Sequence, residues 1–79
     1  MSYDQMDFLA RRSYIDGLLK PGRTIQFSQP FLAGNPTAEL TIVSVTKKEV
    51  TYDYKGQTIT KYRKTCVSDL AQSDDLIFV

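Results

Sequence analysis

The hydrophobic pattern of the chain changes at Pro21-Gly22, and this change restricts the fold more than any other feature. Before the dipeptide, four apolar residues lie on one side at helical spacing: Phe8, Ile15, Leu18 and Leu19. The pattern predicts a helix over residues 3–20, and the Ser2–Gln5 spacing is typical of a capping box at its start. After the dipeptide, apolar and polar residues alternate, which is typical of half-buried strands. The chain is therefore predicted to be a helix followed by β-structure over residues 23–79.

The alternating part divides into short segments separated by turn residues. The predicted strands are Arg23–Ser28, Leu40–Val45, Val50–Tyr54, Thr58–Cys66 and Leu76–Val79, with a single helical turn at Ser68–Ala71. The apolar phase slips between Ile42 and Val43, which predicts a β-bulge or a sharp twist there. Lys55-Gly56 predicts a tight hairpin, because glycine supplies the positive φ that such turns need.

These elements predict an α+β fold. We expect an N-terminal helix followed by a small, strongly twisted five-stranded antiparallel sheet or an SH3-like barrel, since closure would remove the sheet edges. Residues 23–79 resemble an SH3-like small barrel in three features: a long loop after Phe27, the tight hairpin at Lys55-Gly56, and a helical turn before the last strand. The chain has no Trp, so the resemblance does not imply recognition of proline-rich peptides.

The length of the chain predicts one domain over residues 1–79. A domain of 79 residues buries only about two-thirds of the surface that its unfolded chain exposes, so its core is thin. Contact with a protein partner, or with a second copy in a homo-oligomer, would extend that core.

The composition argues against an enzyme. The chain has no His, which excludes Ser-His-Asp and Cys-His catalysis and any His-ligated metal site. The single Cys66 is expected to be a structural core residue, and the acidic residues Asp69, Asp74 and Asp75 lack the spacing of a calcium loop. The four glycines are too scattered for a phosphate-binding loop. We therefore expect no catalytic residue, no cofactor and no metal.

The N-terminus begins Met1-Ser2-Tyr3-Asp4 and lacks the basic flank and apolar run of a signal peptide. The longest apolar runs have three residues, too few to cross a bilayer. We therefore expect a cytosolic protein without a membrane partner. The formal net charge of +1 gives no overall attraction to nucleic acid.

One candidate binding surface is the second side of the predicted helix. The predicted protein-binding residues are Tyr3, Met6, Arg11 and Tyr14, residue types that are enriched at interfaces. The alternative is that the loop around Pro30–Ala38 covers this side with Phe31 and Leu32. The polar loop from Gln29 to Thr37 is a further candidate, either as a binding loop or as a passive connector. On the first interpretation the protein docks on a macromolecular protein partner as an adaptor, an assembly component or an inhibitor, for example a phage-encoded blocker of a host nuclease.

The other candidate is a basic hairpin. Between Lys47 and Lys64 the chain has six basic residues against two acidic ones, a net charge of +4. The predicted nucleic-acid-binding residues are Lys47, Lys48, Tyr54, Lys55, Lys61, Tyr62, Arg63 and Lys64. Basic side chains beside aromatic rings are how small β-barrels bind single strands. The structural alternative is that the lysines protect an exposed sheet edge and that Tyr52 and Tyr54 face the core.

Overall fold

The structure, a computed structural model, describes residues 2–28, 37–73 and 75–78. A 3-10 turn (Tyr3–Gln5) precedes helix α1 (Phe8–Leu18), and a second helix, α2 (Arg63–Ala71), lies near the C-terminus. The strands are β1 (Thr24–Ser28), β2 (Thr37–Val45), β3 (Glu49–Tyr54), β4 (Gln57–Tyr62) and β5 (Leu76–Phe78). The candidate loop after β1 and Asp74 lie outside the described residues.

The five strands form one antiparallel sheet in the order β4-β3-β2-β1-β5. This confirms the predicted α+β class with an N-terminal helix and a five-stranded antiparallel sheet. The sheet is open. Its outer strands β4 and β5 do not pair with each other in the described parts of the chain, so closure into an SH3-like barrel does not occur there. Two helices cover one face instead, which buries that face without closure.

Helix α1 begins later than its pattern predicts. The Asp7 carboxylate accepts a hydrogen bond from the Ala10 N–H at 2.8 Å, so Asp7 is the N-cap of α1. The Ser2–Gln5 pair belongs instead to the 3-10 turn, where the Ser2 backbone N–H donates to Gln5 Oε1 at 3.4 Å. The predicted helix over residues 3–20 is therefore two elements joined by an extended step at Met6 and Asp7.

The hairpin and the bulge both match their predictions. Lys55 and Gly56 form the two-residue connection between β3 and β4, with φ of 49° and 80°. Two positive φ values are the mark of a type I′ turn, whose twist suits antiparallel strands. The β2–β3 register shifts between Ile42 and Ser44, where the apolar phase of the sequence slips.

The predicted strand over Thr58–Cys66 is wrong in its second half. The strand ends at Tyr62, and Arg63 begins α2, which extends to Ala71 and replaces the single predicted turn. A helix buries Cys66, Val67, Leu70 and Ala71 on one face because these residues recur at helical spacing. Among the described residues, no helix combines the length and the apolarity needed to cross a membrane.

The core lies between the sheet and the two helices. Ile15 of α1 and the buried residues of α2 pack with the inward side chains of the three central strands β1, β2 and β3, including Leu40, Val50 and Tyr52. We call the other side of the sheet the open face. Threonines from neighbouring strands meet on it: Thr51 and Thr60 lie 2.9 Å apart at their hydroxyl oxygens, and Thr24 and Thr41 lie 3.3 Å apart.

Candidate functional site

The turn between β2 and β3 is held in shape by Thr46. Its Oγ1 accepts hydrogen bonds from the backbone N–H groups of Lys48, at 3.3 Å, and Glu49, at 2.9 Å. The Thr46 N–H donates to the Glu49 carbonyl at 2.8 Å. Lys47 and Lys48 are therefore presented on a fixed backbone, and both are exposed.

The start of α2 lies against this turn. The Arg63 N–H donates to the Lys48 carbonyl at 2.7 Å, which joins the end of β4 to the β2–β3 turn. A surface depression of about 220 Å³ results. It is lined by Lys47, Lys48, Tyr62, Arg63 and Lys64, which we call the basic end. Tyr62 is 72% exposed, more than Phe8 at 45% and Tyr14 at 43%.

Arg63 is fixed by contacts within the chain. Its Nε donates to Asp16 Oδ1 at 2.7 Å and its Nη2 to the Asp16 carbonyl at 3.0 Å. Its Nη1 donates to the Thr46 carbonyl at 3.1 Å. The guanidinium therefore joins α1 to the β2–β3 turn, and its charge is partly balanced by Asp16. The other cationic side chains of the basic end are the three lysines.

Three of the predicted nucleic-acid-binding residues do not line the basic end. Tyr54 and Lys55 are at the other end of β3, about 20 Å along a six-residue strand. There the Lys55 ammonium lies 5.3 Å from the centre of the Tyr54 ring. Lys61 is bonded to Asp69 of α2, with 3.2 Å between Nζ and Oδ2, and this hydrogen bond raises the pKa of Lys61. The structure thus brings five of the eight residues together.

The predicted protein-binding residues on the N-terminal segment have partners within the chain. The Tyr3 hydroxyl donates to the Leu70 carbonyl at 3.3 Å, and the Arg11 guanidinium lies 4.8 Å from the centre of the Tyr3 ring. Arg11 also donates to the carbonyls of Tyr3, Asp4 and Ala71. These contacts attach the N-terminal segment to the end of α2.

Met6 is half-buried, and the Tyr14 ring centre lies 6.1 Å from that of Tyr3. Helix α1 exposes other apolar side chains: Leu9 is 71% exposed and Phe8 is 45% exposed. The sequence pattern places Phe8 on the same side of the helix as the buried Ile15, yet Phe8 is exposed. Its place in the first turn, next to the Asp7 cap, leaves it at the margin of the helix layer.

A mainly apolar cavity of about 230 Å³ lies between the sheet and α2. Its lining includes Leu40, Tyr52, Cys66 and the Lys61–Asp69 pair. Cys66 is buried, and this burial, more than the nearby Asp69 carboxylate, raises the pKa of the thiol to about 11. The thiol is therefore protonated at neutral pH, as expected for a structural cysteine. In the described segments, no group of three or more His, Cys, Asp or Glu side chains is placed to hold a metal ion.

Comparison with protein-family models, curated proteins and solved structures finds no match to this chain. The function must therefore be argued from the surfaces themselves.

Proposed function

We propose that the protein is a non-enzymatic binding protein that holds single-stranded nucleic acid at the basic end. The observation that carries this proposal is the convergence of Lys47, Lys48 and Lys64 around Tyr62 in one depression. These residues come from a turn, a strand end and a helix start, so their proximity depends on the fold and not on sequence spacing alone.

Each group has a role that suits its chemistry. The three lysine ammonium groups contact backbone phosphates, which supplies affinity without dependence on base sequence. The exposed Tyr62 ring offers a face on which a base stacks, and single strands leave that face of the base accessible. The positive end of the α2 dipole lies at the same place, and the first turn of α2 has no acidic residue. Arg63 keeps the turn and the helix together.

Charge reversal at the basic end tests the proposal. We expect Lys47→Glu combined with Lys48→Glu to weaken binding of a fluorescent 15-nucleotide single strand by roughly tenfold or more near 50 mM salt. Fluorescence anisotropy measures the affinity. Tyr62→Ala should weaken binding by about 1–3 kcal/mol because stacking is lost, and it should leave the dependence on salt unchanged.

Lys55→Glu is the control at the far end of β3; its charge change is half that of the double variant and equals that of Lys48→Glu alone, with which it is compared. Its affinity should stay within about twofold of the unmodified chain near 50 mM salt, because the site is local. Equal weakening by Lys55→Glu would indicate nonspecific attraction and would refute the basic end as a site. No binding of the unmodified chain at that salt concentration would refute the proposal as a whole.

The exposed apolar residues of α1 favour a second candidate function, docking on a protein partner. Leu9 borders a shallow groove lined also by Arg12, Asp16 and Val67. We expect Leu9→Asp to reduce the affinity for a partner isolated from the native host by at least about tenfold, since an apolar anchor is lost. Ala10→Asp, which adds the same charge at an exposed position of α1 that does not line this groove, is the matched control, and titration calorimetry measures both variants. An unchanged affinity for Leu9→Asp would contradict docking at this groove.

A further inference from the structure

Strand β4 is an outer strand of the sheet, and its hairpin determines which of its backbone groups face outward. In a two-residue hairpin the residues flanking the turn, here Tyr54 and Gln57, exchange hydrogen bonds. Hydrogen-bonded and non-hydrogen-bonded pairs then alternate along the ladder. Ile59 and Lys61 therefore direct their N–H and C=O groups toward β3. The outward groups belong to Thr58, Thr60 and Tyr62, and within the described residues no strand pairs with them.

This edge lacks the usual protection against pairing with another strand. It has no proline, and its register with β3 is unbroken over all six residues. Its one charged residue, Lys61, is bonded to Asp69 of the same chain at 3.2 Å. The remaining residues are Thr, Ile, Gln and Tyr, and β-branched and aromatic types favour strands. The edge can therefore accept another strand.

We propose that β4 pairs antiparallel with β4 of a second copy of this chain, with the two Ile59 residues opposite each other on a two-fold axis. In this register Thr58 lies opposite the partner's Thr60, and these two residues exchange hydrogen bonds through their outward groups. Gln57 lies opposite the partner's Lys61. The two sheets become one continuous sheet, and the helices of both copies lie on the same face.

The side chains of β4 are complementary to themselves in this register. Thr58 and the partner's Thr60 meet on the open face, as Thr51 and Thr60 do within one chain. The half-buried Ile59 side chains meet on the helix side, which removes apolar surface from water. Within β4 no like charges lie opposite each other; Lys55 and the partner's Arg63, which come next in this register, lie beyond the paired strands.

A register centred on Thr60 is less favourable. It would place Ile59 opposite the partner's Lys61 and bring the two ammonium groups closer together. The charge pattern therefore favours the register with Ile59 at the axis over the one centred on Thr60.

Solution mass tests the proposed dimer. Light scattering after size-exclusion chromatography should show the mass rising with concentration from the 9.0 kDa of one chain to twice that value. Thr60→Pro should remain monomeric, because proline removes an outward N–H that β3 does not use. Its circular dichroism should match that of the unmodified chain. A monomeric mass for the unmodified chain up to millimolar concentration would overturn the proposal.

Disulfide trapping tests the register. Opposite residues of a non-hydrogen-bonded pair have Cα atoms about 4.5 Å apart, which suits a disulfide. Under mild oxidation Ile59→Cys should therefore form a covalent dimer at least about tenfold faster than Gln57→Cys, whose two copies would lie about 13 Å apart along the strands. Thr60→Cys is the second comparison. Faster trapping of Gln57→Cys or Thr60→Cys than of Ile59→Cys would overturn the proposed register.

Discussion

The guanidinium of Arg63 contacts parts of the chain that lie far apart in sequence. It binds the Asp16 carboxylate and carbonyl of α1 and the Thr46 carbonyl of the β2–β3 turn. In the sequence Arg63 is one of six similar basic residues between positions 47 and 64, and nothing in the spacing distinguishes it. Contacts with distant parts of the chain determine which of these cationic side chains forms hydrogen bonds within the fold. The local charge pattern therefore predicts a basic region but not which of its residues face solvent.

Tyr3 and Arg11 likewise make contacts within the fold that the local sequence does not predict. Their residue types are common at interfaces, and the sequence places them on the second side of the helix. The structure uses both to attach the N-terminal segment to the carbonyls at the end of α2. That contact requires α2, which the sequence pattern predicts only as a single turn.

Burial of Cys66 should make stability depend on pH. Its pKa rises from the ordinary 9.0 to about 11 in the folded chain, so its contribution is fully present below pH 9. Between about pH 9 and 11 the unfolded chain loses the thiol proton first, and roughly 3 kcal/mol of stability should be lost. Urea unfolding, followed by circular dichroism at several pH values, measures this loss.

Cys66→Ala is the control for this dependence. Tyr52 and Lys61 also have raised pKa values and are present in both chains, so the difference in slope reports the thiol together with its effect on the pKa of Tyr52. The alanine variant should lose less stability than the unmodified chain between pH 9 and 11. Identical slopes in the two chains would contradict the role given to burial of the thiol.

At the scale of elements, the β3–β4 hairpin has an avoidable strain. Lys55 has a φ of 49°, a left-handed conformation that costs a residue with a Cβ about 1–2 kcal/mol. Asn tolerates this conformation better than Lys does. We expect Lys55→Asn to raise the free energy of unfolding by roughly 0.5–1 kcal/mol, measured by urea denaturation.

Lys55→Ala separates backbone strain from side-chain contact. It removes the same ammonium group from the Tyr54 ring but lacks the short polar side chain with which Asn tolerates a positive φ. It should therefore show no gain in stability. A gain equal to that of Lys55→Asn would place the effect in the side chain and not in the turn.

The elements that the sequence predicted correctly are those with a strong local signal. The hairpin follows from Lys55-Gly56, and the bulge follows from the phase slip after Ile42. The boundary between β4 and α2 has no such signal, because Thr65, Cys66 and Val67 are residues that also suit a strand. Packing of these residues against Tyr52 and the rest of the core stabilises the helix at this boundary.

For the whole molecule, the order of elements and the antiparallel arrangement follow from the sequence, but closure of the sheet does not. The prediction of a barrel rests on the need to protect edges. A second helix of nine residues covers the inner face together with α1, so that face is buried without closure and the outer strands β4 and β5 remain as edges. The basic end is likewise a product of the whole fold, because it combines the β2–β3 turn with the start of α2.

The two edges of the open sheet are unequal in length, and this limits how an assembly could grow. In the proposed dimer both β4 edges are used, which leaves β5 of each copy at the outside. β5 has three residues and offers a short ladder to a further copy. A contact that uses the same surface on both chains closes on itself, whereas a contact between β4 and β5 would repeat without end as a filament. The short β5 strand therefore favours assembly that stops at two copies.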